Sequence, residues 1–283
     1  MMRGIDLHTH TTASDGIYTP KELIELAVSK NIVALAITDH DTVDGLKEGV
    51  DYARMINYNL ISGIEFSIDY SGGSFHLLGL YIDHKNPELL HTIDRLQRLR
   101  EWRANRIVEI LRDHGIMIAF DEVRNEAMGG TIGKPHIARV MVRMGYCKDI
   151  REVFRNYMNR GQPGYVKRER ISLEEAISVI GKSGGITIIA HPISLNFGSF
   201  IEFECRMERY KGLGIEGIEV YSSMHNMEEV REFHRIARKY DLLISGGSDF
   251  HGDKDEEMGY YINDRNIPED LLHDIEEYKN KRD

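Results

Sequence analysis

Ile32-Val33-Ala34-Leu35-Ala36-Ile37-Thr38-Asp39-His40-Asp41-Thr42 is the stretch that decides the fold class. Six consecutive apolar residues without polar alternation describe a strand buried on both faces, as in a parallel sheet covered by helices. The run stops abruptly in polar, chemically useful side chains, and a helical period follows over Asp44–Asn57. The same grammar recurs along the chain. Gly4–Leu7 runs into His8, Leu60–Ile64 into Glu65, and Phe75–Tyr81 carries His76. Ile186–Ala190 meets His191, Gly217–Val220 meets Tyr221, and Leu242–Ser245 meets Gly246–His251. Helices are expected between them, at Pro20–Lys30 behind Thr19 and at Ser172–Lys182, where Ser172 and Glu175 form a capping box. Further helices are expected at Met227–Tyr240 and Pro268–Lys279. Seven strands, each followed by a helix, predict a β/α barrel. A doubly wound open sheet is the competing architecture, but it would gather its ligand residues from fewer strands at one switch point.

One segment interrupts the alternation. From about Arg95 to Arg170 the chain reads as successive helices, Pro87–His114, Asp121–Met128, Lys134–Met144 and Asp149–Met158. Seventeen basic residues stand there against nine acidic, whereas the whole chain has net charge −10. Residues 1–95 and 171–283 are therefore read as the barrel, and 96–170 as an inserted basic helical cap suited to an anionic substrate.

The 283 residues are 41% hydrophobic and 29% charged, which excludes a disordered, collagenous or coiled-coil protein. Net acidity disfavours a generally basic nucleic-acid binder. Two cysteines, Cys147 and Cys205, leave no room for a disulfide framework or a paired zinc spacing. No signal-peptide core or membrane span is legible, so a cytoplasmic protein with no membrane association and no obligate protein partner is expected.

Histidine is abundant, at thirteen residues. His8-Thr9-His10 ends a strand, where residues two apart share a face and can grip one metal ion. A lone pair of this kind is weak, and recurrence gives it weight: Asp15, His40 with Asp39, Asp41 and Asp44 around it, Glu65, His76, His191, Asp249 and His251 all lie at or near strand ends. Carboxylate with imidazole suits zinc, manganese or iron, and a carboxylate can bridge two ions where an imidazole cannot.

The set HxHTxxSDG (8–16), TDHDT (38–42), a glutamate after the third strand, AHP (190–192) and SDFHG (248–252) resembles the polymerase and histidinol phosphatase (PHP) superfamily of metal-dependent phosphoesterases. The resemblance spans the whole chain. It implies a distorted seven-stranded β/α barrel, TIM-like, holding two or three divalent ions (manganese, zinc or iron, with magnesium a further candidate) at the strand C-terminal ends. It also implies His8, His10, Glu65 and Asp249 around a first ion, Asp15, His40 and His251 around a second, and shared Glu65 with His76 and His191 around a third. Within the insert, Gly133-Lys134-Pro135-His136-Ile137-Ala138-Arg139 and Arg160-Gly161-Gln162-Pro163-Gly164-Tyr165-Val166 resemble the subgroup that dephosphorylates nucleotides and trims short RNA from the 5′ end. Lys134 stands where that subgroup has Arg, and Gln162 where it has Lys. Lys134, His136, Arg139, Arg160, Arg168 and, on the barrel, His225 are the expected substrate contacts.

The expected activity is hydrolysis of nucleotide phosphomonoesters, 3′,5′-nucleoside bisphosphates or nucleoside monophosphates, with 5′-3′ trimming of short RNA. A metal-bound hydroxide is the expected nucleophile, with no covalent enzyme intermediate. A histidinol-phosphate or general sugar phosphatase, and a non-catalytic PHP binding module, are the alternatives; the helical insert weighs against the former and the complete ligand set against the latter. A calcium loop at Asp39–Val50 fails on spacing, neither cysteine is followed by the arginine of a C-x5-R phosphatase loop, and no glycine phosphate cradle occurs. Asp39 is expected to support the ligands from behind, Asp44 to cap a helix, and Trp102 to pack in the core of the cap.

Overall fold

The structure, a computed structural model, describes residues 4–127, 130, 132–254, 256–262 and 265–282. Strand β1 (Gly4–Thr9) leads through α1 (Pro20–Ser29) to β2 (Ile32–Ile37), then through α2 (Asp44–Ile56) to β3 (Asn59–Ile68) and β4 (Phe75–Leu80). Helices α3 (Pro87–Asp113), α4 (Phe120–Glu126), α5 (Lys134–Arg143) and α6 (Ile150–Val153) follow, the last continuing as a π-helical turn through Met158. The chain then alternates again through α7 (Leu173–Lys182), β5 (Ile186–Ile189), α8 (Phe200–Leu213), β6 (Gly217–Ser222), α9 (Met227–Lys239) and β7 (Leu243–Gly247). A short hairpin, β8 (Tyr260–Ile262) with β9 (Arg265–Asn266), precedes α10 (Asp270–Arg282). Met128, placed in a helix by the sequence reading, lies outside the described residues.

Two compact units result, Met1–His91 with Ile171–Asp283, and Thr92–Arg170. In the first, the strands form one sheet in sequence order from β1 to β7. The sheet curls until its edges meet, where Thr9 pairs in parallel with Phe250 and the His10 amide donates to the Phe250 carbonyl at 2.9 Å. The strands are buried on both faces, as their apolar runs read in the sequence: Ile5, Leu7, Leu35, Ile37, Ile64, Phe66, Ile188 and Ile218 are fully buried.

Strand β4 departs from the expected all-parallel pattern. It pairs antiparallel with both β3 and β5, reached from β3 by a tight turn in place of a helix. Its first residues therefore lie at the mouth where the parallel strands end, and the register sets His76 opposite Ser67. A histidine at a strand start so joins residues from strand ends. After the helical segment the chain returns beside β3, with Ile171 bridging Ile68.

The helical unit has its own core of Ile107, Val108, Leu111, Ile137, Val140, Met141, Val153 and Met158, with Cys147 among them. Trp102 is no part of that core: 58% of its surface is exposed, on the polar side of α3. The capping expectation for Asp44 also fails. Val43 precedes α2 without a side-chain cap, and Asp44 occupies the first turn, where its charge faces the helix dipole.

Closure of the barrel depends on close approach at Gly247. A Cβ there would lie 2.2 Å from the His8 Cβ and 2.8 Å from a Glu219 carboxylate oxygen. Gly247→Ala is expected to destabilise the protein by about 1–3 kcal/mol, read as a lower thermal midpoint; an unchanged midpoint would refute this account of closure.

Candidate metal centre

At the mouth of the barrel a single carboxylate sits among imidazoles from four strands. Glu65 is fully buried. Its Oε1 lies 3.0 Å from His76 Nδ1, 3.2 Å from His191 Nε2 and 3.3 Å from His8 Nε2. Its Oε2 lies 2.7 Å from His40 Nδ1 and 3.4 Å from His10 Nε2. Asp249 Oδ1 approaches His10 Nε2 at 3.0 Å and His8 Nε2 at 3.2 Å. At the rim, Asp15 lies 3.4 Å from His251 and 4.0 Å from His40. His8 and His10 form a closed floor, while Asp15 keeps 43% of its side-chain surface exposed, so the centre opens toward solvent on that side.

Three groups of side chains could each hold an ion: His8, His10, Glu65 and Asp249; His10, Asp15, His40 and His251; and His40, Glu65 and His76. Eight of the nine residues singled out in the sequence fall in these groups, and the ninth, His191, joins them through Glu65. The first group is the set implied by the resemblance, and the second adds His10 to it. The third takes His40 beside Glu65 and His76, while His191 Nε2 lies 3.3 Å from His76 Nδ1. His40 faces both carboxylates, Nδ1 toward Glu65 and Nε2 toward Asp15.

The donor set fits cations. Buried His8 Nε2, His10 Nδ1, His40 Nδ1 and Glu65 Oε2 all lack a hydrogen-bond partner, although His40 Nδ1 and Glu65 Oε2 are only 2.7 Å apart. Unpartnered buried polar atoms carry a large desolvation cost, which a bound cation removes.

Electrostatics agree. Burial pushes the Glu65 carboxyl up, but His40, His76 and His8 more than offset it and hold the group well below the usual carboxylate range. Asp249 is lowered in the same way, against burial, by His8 and His10. The imidazoles divide. Burial pulls His10 and His76 down, whereas His251, despite burial, rises to about 9 through Asp15. A cation entering here displaces protons from the raised imidazoles, so metal uptake releases protons and tightens as pH rises.

The aspartates of TDHDT hold the scaffold. Asp39 Oδ1 accepts from the Thr11 amide at 2.7 Å and the Ser14 hydroxyl at 2.6 Å, and Oδ2 accepts from the Thr11 hydroxyl at 2.7 Å. It thereby fixes the turn that carries Asp15 and joins none of the ligand groups. Asp41, with φ 52°, accepts from the Ser67 amide on β3.

Two buried acids escaped the sequence reading. Asp6 accepts from the amides of Ser248, Gly259 and His8 and from the Ser248 hydroxyl, which ties β1 to the segment bearing Asp249. Burial raises its carboxyl to about 6. Glu219, on β6, contacts His8 and the His191 backbone. The available signal was a charged residue inside an apolar strand, for Asp6 two positions before a histidine and on its face.

The remaining expected contacts are placed as follows. His225 is buried, donates Nδ1–H to the Val220 carbonyl at 2.9 Å and packs on Phe233, leaving Nε2 without a partner. It lines a cavity of about 860 Å³ with Ser223, Asn226, Ser248 and Tyr261. In the helical unit His136 is buried and its Nδ1 accepts from the Gly133 amide at 3.0 Å. Lys134 donates to the Met158 carbonyl and lies over the Tyr165 ring. Burial, and then the neighbouring Arg103, lowers Lys134 to about 8; burial, Arg100 and Arg170 lower Arg103 to about 10. Arg139 and Arg160 are exposed and Arg168 is half-buried. Arg100, Arg103 and Arg170 are members of this basic cluster that the sequence did not single out.

A PHP domain model matches residues 6–160. The chain belongs to the PHP domain family. It is 35% identical to a 3′,5′-nucleoside bisphosphate phosphatase of Chromobacterium violaceum over 92% of each chain. It is 34% identical to a 5′-3′ exoribonuclease of Haemophilus influenzae, covering 89% of this chain and 91% of that one. A crystal structure from Bifidobacterium adolescentis described as a metal-dependent phosphoesterase superposes with TM-score 0.82 at 28% identity, covering 97% and 96% of the two chains. Among the described residues no helix is long and apolar enough to cross a membrane.

Because Glu65 touches all three ligand groups or their neighbours, its loss is expected to exceed that of any peripheral imidazole. Glu65→Gln should lower turnover and metal content further than His10→Ala or His76→Ala, measured by elemental analysis beside kcat. Near-normal turnover with full metal content in Glu65→Gln would remove its central role.

Proposed function

We propose that this PHP-family protein is a metal-dependent phosphoric ester hydrolase acting on nucleotides, either 3′,5′-nucleoside bisphosphates or nucleoside monophosphates, and trimming short RNA in the 5′-3′ direction. The observation that carries this reading is the convergence of eight imidazole and carboxylate side chains around Glu65, with four buried donor atoms of the set, one of them on Glu65, lacking partners. The relatives named as a bisphosphate phosphatase and an exoribonuclease support a nucleotide over histidinol phosphate or a sugar phosphate.

His8, His10, Glu65 and Asp249 would hold one divalent ion, Asp15, His40 and His251 a second, and Glu65, His76 and His191 a third. The mixed donors suit manganese, zinc or iron. Bound there, such ions supply Lewis-acid stabilisation of phosphoryl oxygens and activation of water. The chain itself orients the ester. The open rim at Asp15, His40 and His251 admits the phosphoryl group, and the buried floor of His8 and His10 excludes bulk water. His225, whose Nδ1–H is committed to the Val220 carbonyl, offers its unpartnered Nε2 as a hydrogen-bond acceptor to the nucleoside in the adjoining cavity.

In the helical unit Lys134, Arg103 and Arg170 are crowded and partly buried, an arrangement that a polyanion stabilises. We assign Lys134, His136, Arg139, Arg160 and Arg168 to recognition of the nucleotide's further phosphate or body. Two unpaired cysteines, one of them buried, suit a reducing cytoplasm.

Phosphate release from a panel of a 3′,5′-bisphosphate, a nucleoside monophosphate, histidinol phosphate and a 5′-phosphorylated oligoribonucleotide, with manganese, tests the substrate. Turnover confined to histidinol phosphate would overturn it. A charge-assisted hydrogen bond contributes roughly 1.5–3 kcal/mol, so Arg139→Ala is expected to reduce kcat/KM for the bisphosphate about 10- to 100-fold, chiefly through KM. p-Nitrophenyl phosphate, which lacks a second phosphate, should lose much less; equal losses on both would refute anion recognition by Arg139.

Lys134 adds a pH dependence. Its ammonium is present below about 8 and lost above, so bisphosphate KM should rise as pH increases through that value. Lys134→Arg, which keeps its charge, should flatten that limb of the KM profile; an unchanged limb would exclude Lys134 as its source.

A further inference from the structure

Glu219 lies within β6 with no exposed surface, and it joins none of the ligand groups found among the described residues. Its two carboxylate oxygens nevertheless reach two of the proposed ligands. Oε1 lies 3.0 Å from His8 Nδ1. Oε2 accepts the backbone N–H of His191 at 2.6 Å.

The chemistry of the first contact places a proton. An ionised carboxylate offers only lone pairs, so the hydrogen of this bond belongs to His8 Nδ1. The lone pair available for a metal is then on Nε2, the buried nitrogen without a hydrogen bond that faces Glu65 and Asp249. The second contact secures backbone. His191 has φ 25° and ψ 65°, outside the regions that L-residues populate freely, and its side chain points Nε2 at Glu65. A third observation is steric. Gly247 on β7 has no side chain where a Cβ would stand 2.8 Å from Glu219 Oε1 and 2.2 Å from His8 Cβ, so the contact of Glu219 with His8 needs a bare backbone beside it.

We propose that Glu219 is the positioning residue of the metal centre: one buried carboxylate that fixes the tautomer of His8 and the backbone of His191 together. The two histidines belong to different proposed ion positions, so a single side chain aligns both. The inference rests on the metal reading of His8, and the experiment separates the two.

Glutamine at this position has one acceptor and one donor group. With its oxygen toward the His191 amide, its NH2 faces His8 Nδ1 and drives the proton to Nε2, the wrong tautomer for coordination. With the amide reversed, two N–H groups confront each other at His191. Either way one arm fails.

The test is zinc and manganese affinity of the full chain by competition with a chromophoric chelator, for wild type, Glu219→Gln, His8→Ala and the double variant. Glu219→Gln is expected to weaken binding about 10- to 100-fold. The double variant should bind at least ten-fold better than the product of the two single losses implies, because one arm of Glu219 acts through His8. Wild-type affinity in Glu219→Gln, or losses that simply multiply, overturns the proposal. Wild-type affinity in His8→Ala would instead overturn the metal reading of that residue. If Glu219→Gln does not fold, Glu219→Asp carries the same cycle: its two oxygens remain acceptors but its shorter stem cannot reach both partners, and the same sub-multiplicative loss is expected.

Discussion

The rest of the barrel is arranged around one buried charge. Glu65 has no access to water, and a carboxylate in that position is tolerable only if positive or hydrogen-bonding groups surround it. Five imidazoles do so, from β1 and its end, the end of β2, β4 and the end of β5, and each must be aimed. The aim is set by scaffold atoms. Asp39 holds the turn before Asp15, Asp41 clamps β3 at Ser67, Asp6 ties β1 to Ser248, and Glu219 grips His8 and His191. Buried acids therefore alternate with buried imidazoles in shells, so that each charge has a partner and the partners fix geometry.

That arrangement explains two irregularities of the barrel. An antiparallel β4 brings a strand start to the ligand mouth, and with it His76, which a seventh parallel strand would have placed at the far end. Positive φ values at Asp41, His191 and Asp249 occur where strands end in the site, and in all three cases neighbouring contacts hold the backbone. Three of the eight positive-φ non-glycine residues among the described residues thus fall where side chains turn inward at the site.

The helical unit follows a different logic. Its apolar residues form a local core through helical spacing alone, and its cations are in part structural: Lys134 bonds the Met158 carbonyl and Arg103 the Val166 carbonyl at 2.9 Å. Burial, and then crowding of like charge, lowers both groups, and that crowding is the physical feature that suits this unit to an anion. Arg139 and Arg160, by contrast, are exposed cations.

How much of this was legible before folding depends on the range of the interaction involved. Apolar runs ending in His, Asp or Glu, such as Ile32–Ile37 before TDHDT, mark buried strands and their ends, because burial on both faces and ligand placement are written locally. Residue type together with recurrence at strand ends marked His8, His10, Glu65 and Asp249 as ligand-like, and helical periodicity told that residues beyond Arg95 form helices. Strand direction was not local: the turn between β3 and β4 reverses the chain, and only pairing across the sheet assigns His76 to the mouth. Trp102 likewise reads as core by composition, yet its place on α3 turns it to solvent. Asp6 and Glu219 look like errors in apolar strands until the barrel closes and supplies the amides and imidazoles that satisfy them. A sequence determines which side chains can carry charge into a core; only tertiary structure decides which partners make that charge affordable.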